Sequence, residues 1–408
     1  MSRLRFFAAA LGHRTFRFPL ITPPMGILYL GALMRERFAA EVRLVNQRLY
    51  NVSNDALIKE VIAFAPDIVG LSAFSTDKSY LIYITAALKQ ALPQALILVG
   101  GAHPTAVRSQ ALHETQADIA VFSEGETALE LIVSHYLSSR DWREIPGIAW
   151  RDHDGTVVEN PGCLPYIEDL DSLPFPAYDL ANLPAYWRKQ SMPPVSYRKY
   201  ATLISSRGCP YACMWCHNIF GRRYRAHSAE RVVEEITYYV KEYGIDDIEF
   251  VDDSFNLDRQ RVFDFSEQLL QKNGPIKIAF PNAVRADLLD EATIDALVDA
   301  GTYFSSFALE TGSPRLQELT GKRLNIPNYV NAISLAAGKG VFTNGFMMLG
   351  FPTETEEEMR ETIRVAVESD LHTASFFTVT PFPNTALYDY AREHYPDKIQ
   401  NISYSDIN

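Results

Sequence analysis

The sequence predicts an α/β protein in two parts, a doubly wound Rossmann-like parallel sheet followed by a partial (β/α)6 barrel. Three observations predict it. Within the first stretch of about 140 residues, five short and almost wholly apolar runs alternate with segments of helical period, the mark of parallel strands buried on both faces. A second series of six such units begins at Tyr200, too few to close an eight-stranded barrel. Between them lies a stretch rich in proline (Pro161, Pro165, Pro174, Pro176, Pro184, Pro193 and Pro194) without a long periodic segment. The boundaries expected are 1–140 for the first domain, 141–199 for a β excursion and linker, 200–390 for the barrel and 391–408 for a short tail with little room for a further domain.

The first run, residues 5–11, reads as a buried strand. Its apolar stretch is too short for the core of a signal peptide, and His13 and Arg14 follow at once. Pro23 and Pro24 then precede a helical pattern with Leu30, Leu33 and Met34 on one face. Residues 42–45 are a short strand and 53–64 a helix, with Ser53 or Asn54 as its cap. Strand 67–72, a helix to Leu92, strand 95–99 ending in Gly100 and Gly101, strand 119–122 and helix 126–137 complete the series. Residues 145–150 and 156–159 form the β excursion. In the second part the strands are 202–206, 248–251, 276–280, 304–309, 344–349 and 375–380, separated by helical patterns at 229–243, 258–272, 290–300, 327–340 and 355–368.

Lys and Arg number 38 against 50 Asp and Glu, a net charge of −12 with no basic run. Phosphate neutralisation supplies most nucleic-acid affinity, so no nucleic-acid partner is expected. No apolar run approaches the roughly 20 residues of a spanning helix, so no membrane span and a cytoplasmic location are expected.

The four cysteines are Cys163, Cys209, Cys213 and Cys216. Three crowd into one short loop, whereas a disulfide framework would spread them and need an oxidising compartment, so the cluster reads as metal binding. The C-x3-C-x2-C spacing follows the first strand of the second series, where such folds carry their active-site loops. A four-iron cluster normally takes four thiolates. Three leave one iron open, as at a catalytic rather than a structural metal site. Two alternatives stand beside this. Zinc would need His217 as a fourth ligand and would crowd adjacent Cys216 and His217 onto one ion. A plain electron-transfer cluster would need Cys163, which otherwise reads as an incidental thiol in the linker.

With Trp215 just before the third cysteine, the motif resembles the signature of the radical S-adenosylmethionine (SAM) superfamily, and the resemblance extends over nearly the whole chain. It implies that Cys209, Cys213 and Cys216 hold a [4Fe-4S] cluster whose open iron chelates the amino and carboxylate groups of SAM. An electron from an external donor such as flavodoxin or ferredoxin would then release a 5′-deoxyadenosyl radical. Segment 250–256 resembles the end of the second barrel strand of the cobalamin-dependent branch, 307–314 its strand-four motif, 345–354 its strand-five motif and 380–385 its strand-six end. The resemblance implies catalytic roles for Asp252, Asp253 and Glu310. It implies cofactor contacts for Trp215, His217, Asn256, Glu310, Gly312, Ser313 and Met347. Helix capping or satisfied loop carboxylates are the plainer reading of the three acids, but their shared place at strand C-terminal ends favours function. Asn384 stands where the family has glycine, a conservative change if the position needs positive φ. Arg207, next to the cluster, reads as tuning its charge, binding a carboxylate or making a salt bridge.

The first part resembles the cobalamin-binding domain fused to this class, through Pro23 to Leu30, Pro66 to Ser72, Gly100 to Thr105 and Glu124 to Glu126. Ligands of such sheets sit outside the strands' carboxyl ends, and glycines there let backbone approach a bulky corrin. The implied cobalamin contacts are Pro24, Gly26, Ser72, Phe74, Ser75, Thr76, Gly100, Gly101, His103, Pro104, Glu124, Gly125 and Glu126. The Asp-x-His-x-x-Gly motif that supplies histidine to cobalt is missing. Its nearest likeness, Asp370-Leu-His372-Thr-Ala-Ser375, lies in the second part and reads as a helix end. His103 is expected at the corrin periphery. The expectation is therefore base-off cobalamin with no histidine ligand and with loop 73–78 under its lower face. The implied activity is transfer of a methyl group from methylcobalamin to an unactivated carbon of a small-molecule or natural-product substrate. A cyclase or rearrangement enzyme without net methyl transfer is the alternative. Methylthiotransferases carry further cysteines in the N-terminal domain, which this chain does not have. An electron carrier or cobalamin sensor would leave the strand-end motifs unexplained.

Overall fold

Strands buried on both faces account for the unbroken apolar runs of the first series. The computed structural model describes residues 3–12, 21–194, 198–217, 219–400, 402 and 404; His13 and Arg14 lie outside them. Strands β1 (Arg5–Ala10), β2 (Glu41–Asn46), β3 (Ile68–Ser72), β4 (Leu96–Gly100), β5 (Ile119–Val121), β6 (Ile148–Arg151) and β7 (Val157–Glu159) form one sheet in the order β2-β1-β3-β4-β5-β6-β7. The first five are parallel, and β6 and β7 join antiparallel. Successive side chains point to opposite faces. Phe7, Ala9, Val69, Leu71, Ile97 and Val99 therefore pack with Leu57, Val61, Leu81, Ile84 and Leu88. Phe6, Ala8, Ile68, Leu96 and Leu98 pack on the other face with Ile27, Leu33, Met34, Leu129 and Ile132. Each such valine, leucine, isoleucine, phenylalanine or methionine contributes about 1.5–3 kcal/mol through burial. Strand order reverses between β1 and β3, and sheets of this kind open a crevice outside the carboxyl ends of the strands at such a point.

The β excursion extends this first sheet. Asn160 fastens it, accepting from Trp150 Nε1 (3.0 Å) and donating to the carbonyls of Trp142 (2.6 Å) and Ile145 (2.8 Å). The prolines that follow do not make a loose spacer. Residues Ser172–Ser191 belong to the same compact unit as Met1–Glu168. Tyr178 and Tyr186 are buried there, bonded to Met25 Sδ (3.3 Å) and Asn46 Nδ2 (3.0 Å).

The second unit holds Asp169–Asp171 and Met192–Glu393. Its strands are β8 (Tyr200–Leu203), a two-residue ribbon of β9 (Ser206–Arg207) and β10 (Arg225–Ala226), then β11 (Asp247–Phe250), β12 (Lys277–Val284), β13 (Thr302–Glu310), β14 (Phe342–Leu349) and β15 (Thr373–Thr378). Apart from the ribbon they form one parallel sheet in the order β15-β14-β13-β12-β11-β8, each strand beside its successor, as a partial barrel requires. Side-chain caps start the intervening helices: Ser228 for Ala229–Tyr243, Asp258 for Arg259–Asn273, Asp290 for Glu291–Asp299 and Asn325 for Ile326–Gly338. A Thr355–Glu358 capping box starts Glu356–Glu368. Strand β15 begins two residues before the apolar pattern at 375, because the His372 backbone already donates to the Thr343 carbonyl (3.0 Å) and starts the ladder. The ribbon was not legible from periodicity, being two residues long. Asn384 has φ 63, the left-handed conformation for which asparagine is the apt substitute for glycine. Among the described residues, no helix is long and apolar enough to cross a membrane.

Candidate functional site

The three clustered cysteines lie on the loop leaving β8. Backbone bonds hold that loop from both sides. Cys209 N donates to the Gly221 carbonyl (3.2 Å), Met214 N to Thr320 (2.9 Å), and Leu387 N to Met214 (2.8 Å). Two glycines let the flanking segments close in. Gly208 has φ 83, and a side chain there would run into the carbonyl oxygens of Arg223 and Gly221. Gly321 has φ 74, and its Cβ would sit 2.9 Å from the Ala212 carbonyl oxygen.

The thiols sit in surroundings that suit a cationic cluster better than free thiolates. Burial pushes the Cys216 thiol up to about 12, and the Cys213 and Cys209 sulfurs beside it push the same way, although its surface is exposed. Burial likewise raises Cys213, against the pull of the Lys322 ammonium. Three mutually repelling sulfurs on one loop become stable thiolates when irons neutralise them. Among the described residues, no three His, Cys, Asp or Glu side chains converge on one point, which a single ion would need. Cluster thiolates bind different irons and have no such requirement.

Asp252 and Asp253 stand at the end of β11 and root this loop. Asp252 is buried, and its Oδ1 accepts from Ser205 N (3.0 Å), Ser205 Oγ (2.9 Å) and Ser206 Oγ (2.6 Å). Asp253 accepts from Gly208 N (3.2 Å). Burial raises both carboxyls; nearby Arg261 opposes this at Asp252, and the Gly208 bond does so at Asp253. Arg207 is buried as well, with its guanidinium 5.2 Å from the centre of the Phe220 ring. Asn256 is spent on the backbone of Arg285, donating to its carbonyl (2.9 Å) and accepting from its amide (3.0 Å).

Glu310 ends β13 with φ 67, unusual for a residue with a side chain, where the β13–β14 register slips. Burial raises its carboxyl, opposed by Lys322, whose Nζ lies 3.6 Å away. Gly312 permits close packing, since a Cβ there would lie 2.9 Å from both the Glu361 carbonyl oxygen and Thr362 Cα. Ser313 caps the short helix Pro314–Leu319 and donates to Glu358 (2.7 Å). Met347 is fully buried opposite Glu310 in β14. Trp215 lies 5.2 Å from Phe351, ring to ring, and His217 5.9 Å from Phe382. Burial lowers the pKa of His217. His372 lies beyond the helix ending at Glu368, where Thr343 Oγ1 meets its Nδ1 (2.8 Å) and Phe342 stacks on its ring.

In the first unit, the loops after β3 and β4 are zipped together. Ala73 N donates to Gly100 (3.2 Å) and His103 N to Ala73 (3.0 Å). Gly101, at φ 89, lies so close that a Cβ would be 2.7 Å from Ser72 Oγ. His103 is buried, with Nδ1 3.2 Å from Ser75 Oγ and Nε2 3.2 Å from Glu114 Oε2. Burial alone would raise the Glu114 carboxyl, but its bonds to His103 and Lys78 hold it at about 2. Thr76 lies in the turn Ser75–Asp77, and Phe74 before it is 57% exposed, with Arg48 5.5 Å from its ring centre. Asp77, buried, ties that turn by accepting from Arg48 (2.8 Å) and Phe74 N (3.2 Å). Pro24 precedes helix Met25–Phe38, in which Gly26 has nothing within 4 Å of a built Cβ. Pro104 is buried in helix Ala102–Val107. Glu124, buried, accepts from Ile167 N (2.8 Å) and precedes the helix begun by Gly125 and Glu126. Thus Ser72, Phe74, Ser75, Thr76, Gly100, Gly101 and His103 share one pair of loops, and the remaining first-unit candidates lie at helix starts.

Sequence reasoning missed Lys322, Glu114, Asp77 and Arg285. The guanidinium of Arg285 lies 3.7 Å from the Tyr211 ring centre and donates to the Lys322 (3.2 Å) and Arg323 (3.1 Å) carbonyls, tying the cluster loop to the lysine's loop. None belongs to a spaced motif.

Known proteins match in the same two regions. Residues 15–133 match the B12 binding domain family and residues 203–366 the Radical SAM superfamily. The chain is 31% identical over 373 residues to an uncharacterized methyltransferase of Pyrococcus horikoshii, covering 90% of this chain and 78% of that one. It is 27% identical over 397 residues to the anaerobic magnesium-protoporphyrin IX monomethyl ester cyclase of Cereibacter sphaeroides, covering 95% and 62%. The solved structure of the radical SAM methyltransferase TsrM from Kitasatospora setae, bound to tryptophan and a SAM analogue, is similar in fold. The TM-score is 0.77 at 18% identity, over 96% of this chain and 76% of that one.

Proposed function

Because the chain belongs to the cobalamin-dependent radical SAM enzymes, a cobalamin-binding domain fused to a radical SAM domain, we propose that it is a methyltransferase acting on an unactivated carbon of a small-molecule or natural-product substrate. Cobalamin, SAM and an iron–sulfur cluster are the cofactors typical of the family. The observation that carries methyl transfer is the 31% identity to a methyltransferase along 90% of the chain, through both regions. When bound, the cluster and SAM supply a carbon radical that takes a hydrogen atom from substrate, and cobalamin supplies the methyl group.

The chain's own residues hold and orient. Cys209, Cys213 and Cys216 are the proposed cluster ligands. Asp252 and Asp253 position their loop through Ser205, Ser206 and Gly208. Glu310 and Lys322, paired at 3.6 Å, offer an acceptor and a cation to the polar groups of SAM. In the first unit the zipped loops form a backbone cradle for the corrin, with Phe74 directed outward. Cobalamin is base-off in this reading and takes no histidine, because both ring nitrogens of His103 are engaged by Ser75 and Glu114. The electron comes from an external carrier, and neither nucleic acid nor a membrane takes part.

The similarity to a cyclase over 95% of the chain favours a second reading, radical chemistry without net methyl transfer. Anaerobic turnover of reconstituted protein with methyl-deuterated SAM separates the two. Methyl transfer yields 5′-deoxyadenosine and S-adenosylhomocysteine together, with the deuterated methyl group on the product. 5′-Deoxyadenosine without S-adenosylhomocysteine would remove the methyltransferase reading and leave the cyclase.

A further inference from the structure

We propose that Arg285 is a positioning residue that keeps the Lys322 ammonium turned towards Glu310 and the cysteine loop, and that it acts through its hydrogen-bond fork rather than through its charge. The inference rests on the radical SAM reading of Cys209, Cys213 and Cys216, and on Lys322 as the cation that meets SAM.

Lys322 sits in a turn that needs outside support to keep its shape. Gly321 before it has φ 74 and Arg323 after it has φ 49, so a left-handed residue stands on each side. Glycine takes that conformation freely, whereas arginine takes it at a cost. The turn's own bonds, from Gly321 N to Glu318 O (3.1 Å) and from Arg323 N to Gln317 O (3.0 Å), engage its amides. Its carbonyls are met by Arg285. Nη1 and Nη2 both donate to the Lys322 carbonyl (3.2 Å each), and Nη2 donates to that of Arg323 (3.1 Å). Among the described residues no other donor meets either carbonyl.

Arg285 is itself held in place. Asn256 bonds both its backbone amide and its carbonyl. Asp287 lies 2.9 Å from its Nε and also accepts from Asn325 N (3.2 Å), at the start of helix Ile326–Gly338. The Tyr211 ring of the cysteine loop packs on the guanidinium, 3.7 Å from centre to centre. The outcome is a buried ammonium aimed inward. Lys322 Nζ lies 3.6 Å from Glu310 Oε1, with its side chain 12% exposed. Burial raises the Cys213 and Cys216 thiols and the Lys322 ammonium opposes this, so it stands near the sulfurs as well. Asp287 decides between charge and fork. It neutralises the guanidinium at close range, which leaves little net charge to act on a cluster. The bonds to two successive carbonyls depend on a planar fork that an ammonium does not have.

The test measures SAM affinity by equilibrium dialysis on the full-length, iron-reconstituted protein, and amide hydrogen exchange of residues 320–325 on the iron-free protein. R285Q should keep wild-type iron content, exchange faster at 320–325, and bind SAM about tenfold more weakly, as for one lost hydrogen bond to a charged group. K322Q should weaken SAM binding at least as much. R285Q/K322Q should bind no worse than K322Q alone, because Arg285 acts through Lys322. R285K keeps a cation over Tyr211 without the fork, and should hold iron yet bind SAM several-fold more weakly. Wild-type SAM affinity in R285Q would overturn the proposal, even with faster exchange, since the clamp would then be structural only. Wild-type affinity in R285K would assign the effect to charge and overturn it too. So would losses that add in the double variant. If R285Q loses iron, R285K and R285K/K322Q carry the same comparison. A wild-type protein that binds iron but no SAM defeats the functional reading. Exchange at 320–325 in R285Q still judges the clamp on that protein, faster exchange upholding it and unaltered exchange overturning it.

Discussion

Asp252 is the side chain through which the geometry makes its sharpest demand. Its Oδ1 accepts three hydrogen bonds, from Ser205 N, Ser205 Oγ and Ser206 Oγ, at the root of the cysteine loop. Ser205 and Ser206 are at most 1% exposed, so water does not replace a lost acceptor. Leaving a buried donor unsatisfied costs about 1–3 kcal/mol. The Ser206 hydroxyl has a fallback in the Ser254 carbonyl at 3.3 Å. Asp252→Ala should therefore cost about 3–5 kcal/mol, a large part of the roughly 5–15 kcal/mol that keeps a domain folded. Asp252→Asn keeps an oxygen in the same place. It sheds a charge that burial disfavours, but leaves Arg261 less well compensated, for a net cost of about 1–2 kcal/mol. Urea unfolding of anaerobic protein, with iron content after reconstitution, measures both. The alanine variant should lose iron and stability, and the asparagine variant should keep iron and form 5′-deoxyadenosine. Alanine that retains both, or asparagine as damaged as alanine, would refute the positioning role. Asparagine with intact iron and no 5′-deoxyadenosine would make Asp252 a catalytic group instead.

Two further predictions concern titration. Glu114 is held at about 2, below its ordinary 4.5, so it contributes stability that is present above pH 4.5 and lost as pH falls from there towards 2. Glu114→Gln should flatten the acid limb of the urea midpoint between pH 5 and 3; a limb parallel to wild type would show that the pairs with His103 and Lys78 contribute nothing. The iron-free Cys216 thiol, pushed up to about 12, should be thiolate only to a small extent at pH 8 and so resist iodoacetamide, gaining reactivity as pH rises. Rapid alkylation of Cys216 at pH 8, read by peptide mass spectrometry, would contradict the raised value.

Periodicity alone made the two sheets legible. Apolar runs five residues long, such as Ile68–Ser72 and Leu96–Gly100, can be buried on both faces in few other ways, and their spacing by helical segments leaves parallel strands as the solution. The cysteine spacing was equally plain, since a short loop carries its ligands wherever it goes. Roles that depend on partners distant in sequence were not legible. Asp252 reads as one more acid after a strand until β8 and β11 pair and bring Ser205, 47 residues away, under its carboxylate. His103 reads as a loop histidine until the zipped loops set Ser75 on one nitrogen and Glu114 on the other. Lys322 and Arg285 carry no motif, and only the tertiary structure sets one beside Glu310 and the other on Tyr211. The physical reason is the range of the forces involved. Burial patterns and ligand spacing act within a few residues and are written along the chain. A hydrogen bond or ion pair acts over about 3 Å, and which groups come that close is decided by sheet order and register.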